Sequence, residues 1–412
     1  MPIHSHTFDN GLTLVAEPMM WLESVAFTFL VPVGAAYDVP DRSGLSNLTC
    51  ELALRGCGGR DSRQFIEALE ELGIEGGESV GVSHTSLRGA TLARNLAPAL
   101  AVYADLLRDA TLPEDELEQG RHVAVQELRS VEDEPAHKVM MELRRSHYPD
   151  PWGRPHQGDM PGLEAITIDD IRKQYASGYR PNGTILGVAG RFDWDTLLQA
   201  VERLLGDWPA TEQREPETGQ LETVQRHLDH DSNQTQIGVA FPSVPYSHPD
   251  YFQAWGAVGV LSDGSSSRLF SEVREKRGLC YAVSASTRSL KQLGSVFGYA
   301  GTTAERAQQT LDVMLQEMQK LGDGIEAVEL NRLKARMKSS LIMAQESSAS
   351  RSGAIARDWY YLDRVRTLDE VGRKVDELTP DSINAYLAEN RPSSFTVVTL
   401  GSHPLEMPRG IS

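Results

Sequence analysis

The most suggestive cluster of reactive side chains in this sequence is short: Asn47-Leu48-Thr49-Cys50-Glu51. On a helix, residues four apart share a face, so Asn47 and Glu51 would point the same way with Cys50 beside them. An amide and a carboxylate make a poor soft-metal pair. A thiol of ordinary pKa, about 8.5, is also no substitute for a carboxylate as a general base. Far along the chain, Arg274 and Tyr281 stand seven residues apart. A fixed guanidinium and a phenol can hydrogen-bond a carbonyl oxygen as it gains negative charge. The same residues also fit a structural role, with Arg274 paired to Glu272 or Glu275 near a helix end and Tyr281 in a half-buried strand. His4 and His6, and His227 and His230, are close in sequence but lack an evident third ligand, so they read as surface imidazoles. The serine-rich run at 265–267 lacks the Gly-Lys-Ser/Thr of a phosphate-binding loop, which argues against nucleotide binding.

The chain that must position these groups has 412 residues, enough for two or more domains. Its 40% hydrophobic and 24% charged composition is that of an ordinary globular protein. With 58 acidic against 40 basic residues, the formal charge is −18, which disfavours nucleic acid and anionic membrane surfaces as partners. Three cysteines, Cys50, Cys57 and Cys280, form no CxxC pair and fit thiols kept reduced in a cytoplasm. The first eight residues show neither the basic nor the apolar region of an export signal. The longest apolar stretch, 25–36, is too short to cross a hydrocarbon core of about 30 Å as a helix.

Asp9-Asn10-Gly11 predicts a hairpin turn, because Asn-Gly supplies the positive φ such turns require. A strand follows at 26–33, helices at 44–55 and 62–72, and two strands within 78–92. A helix at 96–107 leads into a long helical run over 113–148, with a kink expected at Pro135. A helix near 168–176, a strand at 184–189 and a helix at 194–205 close the first half. A polar linker spans 209–222. The second half restates part of the first at an offset of 213 residues, Leu117 corresponding to Leu330. Two similar α+β domains are therefore expected, at 1–208 and 223–412, each a mostly antiparallel sheet covered by helices on one face.

The segment Ser265-Ser266-Ser267-Arg268-Leu269-Phe270-Ser271-Glu272-Val273-Arg274-Glu275-Lys276-Arg277-Gly278-Leu279-Cys280-Tyr281 closely resembles a signature of the insulinase/pitrilysin peptidase superfamily, which includes mitochondrial processing peptidase. In the first half, Gly44-Leu45-Ser46 introduces a helix where such enzymes carry their inverted zinc motif, HxxEH. There, two imidazoles four apart bind one zinc and the intervening Glu acts on the metal-bound water. Here the pentapeptide is Asn47 to Glu51, with Cys50 where the base would stand. The resemblance makes Glu127, in Val123-Ala124-Val125-Gln126-Glu127, a surviving third-ligand position. A helper Glu seven residues earlier is replaced by Gly120.

What the resemblance implies is a chain that binds no metal and cannot cut peptides alone, although Asn47, Glu51 and Glu127 could offer three oxygens to a harder ion. It also implies that Arg274 and Tyr281 contact the scissile carbonyl region of a peptide at a partner's active site. Zinc is then expected in a partner subunit bearing HxxEH. Peptides in this superfamily add as a strand to the N-terminal sheet, and Gly77, Ser79 and Gly81 occupy the corresponding region. Two further readings stay open: a structural or peptide-binding protein with no peptidase role, and an active metallopeptidase with unusual ligands.

Overall fold

The Asp9-Asn10-Gly11 turn forms as its residues suggest, with Gly11 at φ 87° joining strands β1 (His4–Thr7) and β2 (Thr13–Pro18) as an antiparallel pair. The structure, a computed structural model, describes residues 3–408 apart from 213, 214, 217 and 345. The first two residues of the segment read for an export signal, and three positions of the expected linker, lie outside the described residues.

The first sheet adds β3 (Ser24–Val31), β6 (Glu75–Val80), β7 (Thr85–Leu92) and β8 (Ile185–Gly190), while β4 (Gly56–Cys57) and β5 (Arg60–Asp61) form a separate small ribbon. Its strand order is β1-β2-β8-β3-β7-β6, and only the β2–β8 pair is parallel. The second sheet contains β9 (Gln225–Asp229), β10 (Gln234–Ser243), β11 (Cys280–Ser289), β12 (Gly294–Thr303) and β13 (Thr396–Gly401). They run in the order β11-β12-β10-β13-β9, again with one parallel pair, β13–β9. Both sheets are thus mostly antiparallel and the fold class is α+β.

Strand alternation divides each sheet into two faces. On β3, Val25, Phe27, Phe29 and Val31 enter a core with Leu48, Leu100 and Tyr103 from the helices Leu45–Ala53 and Leu96–Arg108. The intervening Thr28 points the other way and hydrogen-bonds Ser352 at 3.0 Å. On β10, Ile237, Val239 and Phe241 join Leu261, Leu311 and Met314, whereas Gly238 faces Leu143.

Each sheet is therefore covered on its second face too, and by a helix from the other half of the sequence. The helix Ser348–Leu362 packs on β2, β3 and β8. Gly187 on β8 permits this, since a Cβ there would lie 2.3 Å from the Ser352 carbonyl oxygen. The helix Pro135–His147 packs on β10 and β13. Its buried His147 bonds Thr396 through Nδ1 at 3.0 Å and Ser295 through Nε2 at 2.9 Å. The two compact units are accordingly Met1–Ser130, Arg154–Glu217 and Met343–Thr367, and Val131–Gly153, Thr218–Ile342 and Leu368–Ser412.

The expected kinked run over 113–148 is in fact two helices, Leu117–Asp133 and Pro135–His147. Pro135 opens the second helix, where its missing N–H costs nothing. The 213-residue offset survives in the order of elements. The strand β7, helix Leu96–Arg108 and helix Leu117–Asp133 are matched by β12, Ala307–Lys320 and Ala327–Ala344. The same offset carries Pro135 onto Ser348, so the two exchanged helices are counterparts.

Candidate functional site

The helix bearing Asn47 starts at Leu45 because of a cap that sequence reading missed. Gly44 takes a left-handed φ of 94°, and the Asp38 carboxylate accepts from Gly44 N at 2.9 Å, Ser46 N at 2.8 Å and Ser46 Oγ at 2.6 Å. This buried carboxyl is raised to about 6 by desolvation, against the lowering effect of those same bonds. The apolar positions Leu45, Leu48 and Leu52 fix the helix to the sheet, leaving Asn47 and Glu51 half-buried on another face.

What stands on that face is already engaged. Asn47 Nδ2 donates to Glu127 Oε2 at 3.0 Å, which brings two of the expected residues together. Glu51 accepts from Arg55 at 2.7 Å, and Arg55 also binds Glu116 at 2.7 Å. Cys50 turns inward and is 2% exposed. Burial pushes its thiol up to about 12, so the proton stays on sulfur at neutral pH. Gly120 lies directly over this helix. A Cβ there would sit 2.7 Å from Leu52 Cδ1 and 3.3 Å from Leu48 Cδ1, so the place of the family's helper carboxylate is closed by leucines.

These residues do not fit a zinc ion. Asn47 presents a donor N–H to Glu127, Glu51 is held by a guanidinium, and Cys50 points into the core. Among the described residues no group of three His, Cys, Asp or Glu side chains is arranged to hold a metal.

The second candidate pair lies in the other unit. Leu269 and Val273 are fully buried and anchor the signature segment. Arg268 grips Glu329 through two hydrogen bonds of 2.8 Å each, Nε to Oε1 and an Nη to Oε2, and this arginine is structural. A wide turn over Phe270–Glu275 then presents Arg274 to solvent. Its guanidinium lies 4.9 Å from the Phe270 ring centre. The ion-pair alternative for Arg274 does not form with Glu272, which instead pairs with Lys276 and Arg277 at 2.5 Å each.

Tyr281 is 52% exposed on β11, a strand that is itself half-buried. Its hydroxyl is 3.4 Å from Gln234 Oε1, and the neighbouring Tyr299 donates to Gln236 at 2.6 Å. Both phenol oxygens overlie Gly301, where a Cβ would meet Tyr281 Oη at 2.5 Å and Tyr299 Oη at 2.8 Å. Tyr299, Gln236 and Gly301 thus set where the Tyr281 hydroxyl rests. The period-2 spacing of Tyr299 and Gly301 was a usable signal for this, but the pairing of β10 with β12 that brings Gln236 alongside was not.

The proposed docking strand is an edge. β6 pairs only with β7, and Gly77 and Ser79 lie on it with open space beside Gly77. Gly81 is not part of that edge. It lies past the strand end, where its N–H donates to His84 O at 2.8 Å and its carbonyl accepts from Ala35 at 3.0 Å.

Residues 22–157 match the family described as Insulinase (Peptidase family M16), and residues 165–337 match the Peptidase M16 inactive domain. The chain belongs to the insulinase/pitrilysin superfamily. Relatives of this M16 chain include an uncharacterized zinc protease of Rickettsia felis, 26% identical over 91% of each chain. Another from Bacillus subtilis is 26% identical over 93% of this chain and 94% of its own. Among solved structures, the peptidase M16 inactive domain from Pseudomonas fluorescens superposes with a TM-score of 0.90 at 21% identity, covering 99% of this chain and 100% of that one. A chain of Complex III2 from Candida albicans gives 0.83 at 18% identity, covering 97% and 96%. Those two likenesses concern the fold. No helix among the described residues of this M16 chain is long and apolar enough to cross a membrane.

Proposed function

We propose that this chain is the non-catalytic subunit of a heterodimeric zinc metallopeptidase that acts on peptides or unfolded segments. It supplies Arg274 and Tyr281 to the active site of an HxxEH-bearing partner of the same superfamily and holds no metal of its own. The observation that carries this reading is the contrast between the two places. The side chains at the zinc-motif position are bonded to one another and to Arg55, while Arg274 and Tyr281 stand exposed. A donor pair of that kind stabilises charge on a carbonyl oxygen without any metal in its own chain. The edge of β6 at Gly77 and Ser79 is the surface proposed to take the peptide as an added strand. Three buried, free cysteines accord with a cytoplasmic setting.

A test is reconstitution: mixing the chain with an HxxEH-bearing subunit should yield hydrolysis of an unstructured peptide that neither shows alone. The likeness to a Complex III2 chain favours one alternative, in which the same fold serves as a structural or peptide-binding element without peptidase function. Failure of reconstitution with retained peptide binding would support that alternative.

A further inference from the structure

One charged cluster takes no part in the site described so far. β11 is the edge strand of the second sheet, and its alternate residues Ser284, Ser286 and Arg288 are exposed, while Val283 and Ala285 pack toward the core. Arg288 is paired across the sheet with Ser295. Ser295 bonds His147 at 2.9 Å, so Arg288 stands on the face that the Pro135–His147 helix covers. That helix carries Arg144, one turn before Tyr148, and Tyr148 stacks on Phe297 of β12 with ring centres 5.6 Å apart. Phe297 in turn pairs with Ser286 of β11. The Arg144 and Arg288 charges act on each other and both act on Tyr148, so the two guanidinium groups are neighbours on this face.

Neither the Arg144 nor the Arg288 side chain has a hydrogen bond or ion pair with any described residue. This is unexpected in a chain with 58 acidic and 40 basic residues, where carboxylates are plentiful. Burial and the neighbouring Arg288 charge both weaken the Arg144 cation. Two like charges held together, one of them partly desolvated, are stabilised by an anion placed between them.

We propose that Arg144 and Arg288 form a subsite for a carboxylate on a bound peptide, either an acidic side chain or the C-terminal carboxylate. The proposal rests on the peptide-handling reading above and adds a substrate class to it. The exposed face of β11 sets the spacing. From Ala282, beside Tyr281, to Arg288 is six residues, or about 20 Å at about 3.4 Å per residue. An extended peptide rises by the same amount, so the carboxylate falls about six residues from the carbonyl that Tyr281 would contact.

The test is direct binding of fluorescein-labelled, unstructured peptides of about 14 residues to the full chain without a partner, read by anisotropy. One peptide carries a single Glu and an amidated C-terminus, a second has Gln at that position with the amide retained, and a third has Gln with a free C-terminus. At least one carboxylate-bearing peptide should bind about 10-fold tighter than the Gln amide, as a charge-assisted bidentate contact gives. Raised salt should weaken that preference. R288Q, at an exposed position, and R144K and R144Q on the helix should each reduce it several-fold. The more tightly bound carboxylate peptide identifies which carboxylate is recognised. Equal binding of all three peptides, no binding of any, or a preference unchanged in R288Q and R144Q would overturn the proposal. Retained carboxylate preference in a chain that never activates a partner would instead count against the peptidase-subunit reading and leave the subsite standing.

Discussion

Replacing Tyr281 by Phe separates a catalytic contribution from a structural one, because the structure predicts opposite magnitudes for the two. The side chain is 52% exposed, and its hydroxyl meets Gln234 at a long 3.4 Å and the neighbouring Tyr299 phenol. Removing the oxygen from such a position should change folding stability by less than about 0.5 kcal/mol. In an assembled peptidase, by contrast, a donor to the developing oxyanion is worth about 10²–10³ in turnover, or about 3–4 kcal/mol. Arg274→Ala should behave alike, losing at most about 1 kcal/mol of contact with the Phe270 ring. The assay is cleavage of a quenched fluorescent peptide by the chain plus an HxxEH-bearing subunit, with thermal unfolding of each variant run in parallel. Gly301→Ala provides a positional control, since its Cβ would displace the hydroxyls of both Tyr281 and Tyr299. Wild-type turnover in both Tyr281→Phe and Arg274→Ala, within an assembly that the wild-type chain activates, would refute the reasoning.

Other outcomes follow from the same geometry. His147 is fully buried, and burial lowers its folded pKa to about 4, below the ordinary 6.5. The unfolded chain therefore binds the proton first, and stability present above pH 6.5 is lost as pH falls toward 4, by up to about 3 kcal/mol. His147→Gln should show a shallower loss than wild type in urea midpoints at pH 7.5 and 4.5, and parallel losses would contradict this. Asp38 has the opposite sign: its folded pKa is raised to about 6, so its contribution favours folding at low pH and is lost as pH rises from about 4 through 6. Nuclear magnetic resonance titration of that carboxyl should find a midpoint above the ordinary range. Gly187→Ala would drive a methyl into the Ser352 carbonyl, which cannot rotate away, and should cost about 3 kcal/mol in thermal or urea unfolding. Gly77→Ala, with open space beside it, should be nearly neutral in the same measurement.

Much of this structure was legible in the sequence because it rests on short-range rules. Asn10-Gly11 specified the first hairpin, and the apolar spacing of Leu45, Leu48 and Leu52 specified the helix that carries Asn47. The exchange of helices was not legible. The sequence of Pro135–His147 says only that the helix is amphipathic, and which sheet its Leu143 meets depends on Gly238, nearly a hundred residues away. The same limit applied at the sites. That Cys50 could not act as a base followed from its chemistry, but its inward turn required knowing that Leu48 and Leu52 face both the sheet core and Gly120. The Arg55 link between Glu51 and Glu116 joins residues that a linear motif treats as unrelated. For Arg274 the sequence allows an ion pair with Glu272 or Glu275 as well as an exposed contact, and it does not tell that Lys276 and Arg277 occupy Glu272.

The most direct test of the central claim is peptide hydrolysis measured on three samples at matched concentration: this chain alone, an HxxEH-bearing subunit alone, and the two mixed. The expected result is turnover only in the mixture, abolished when the partner's HxxEH is substituted. Turnover by this chain alone, or a mixture in which this chain adds nothing to its partner, would contradict it.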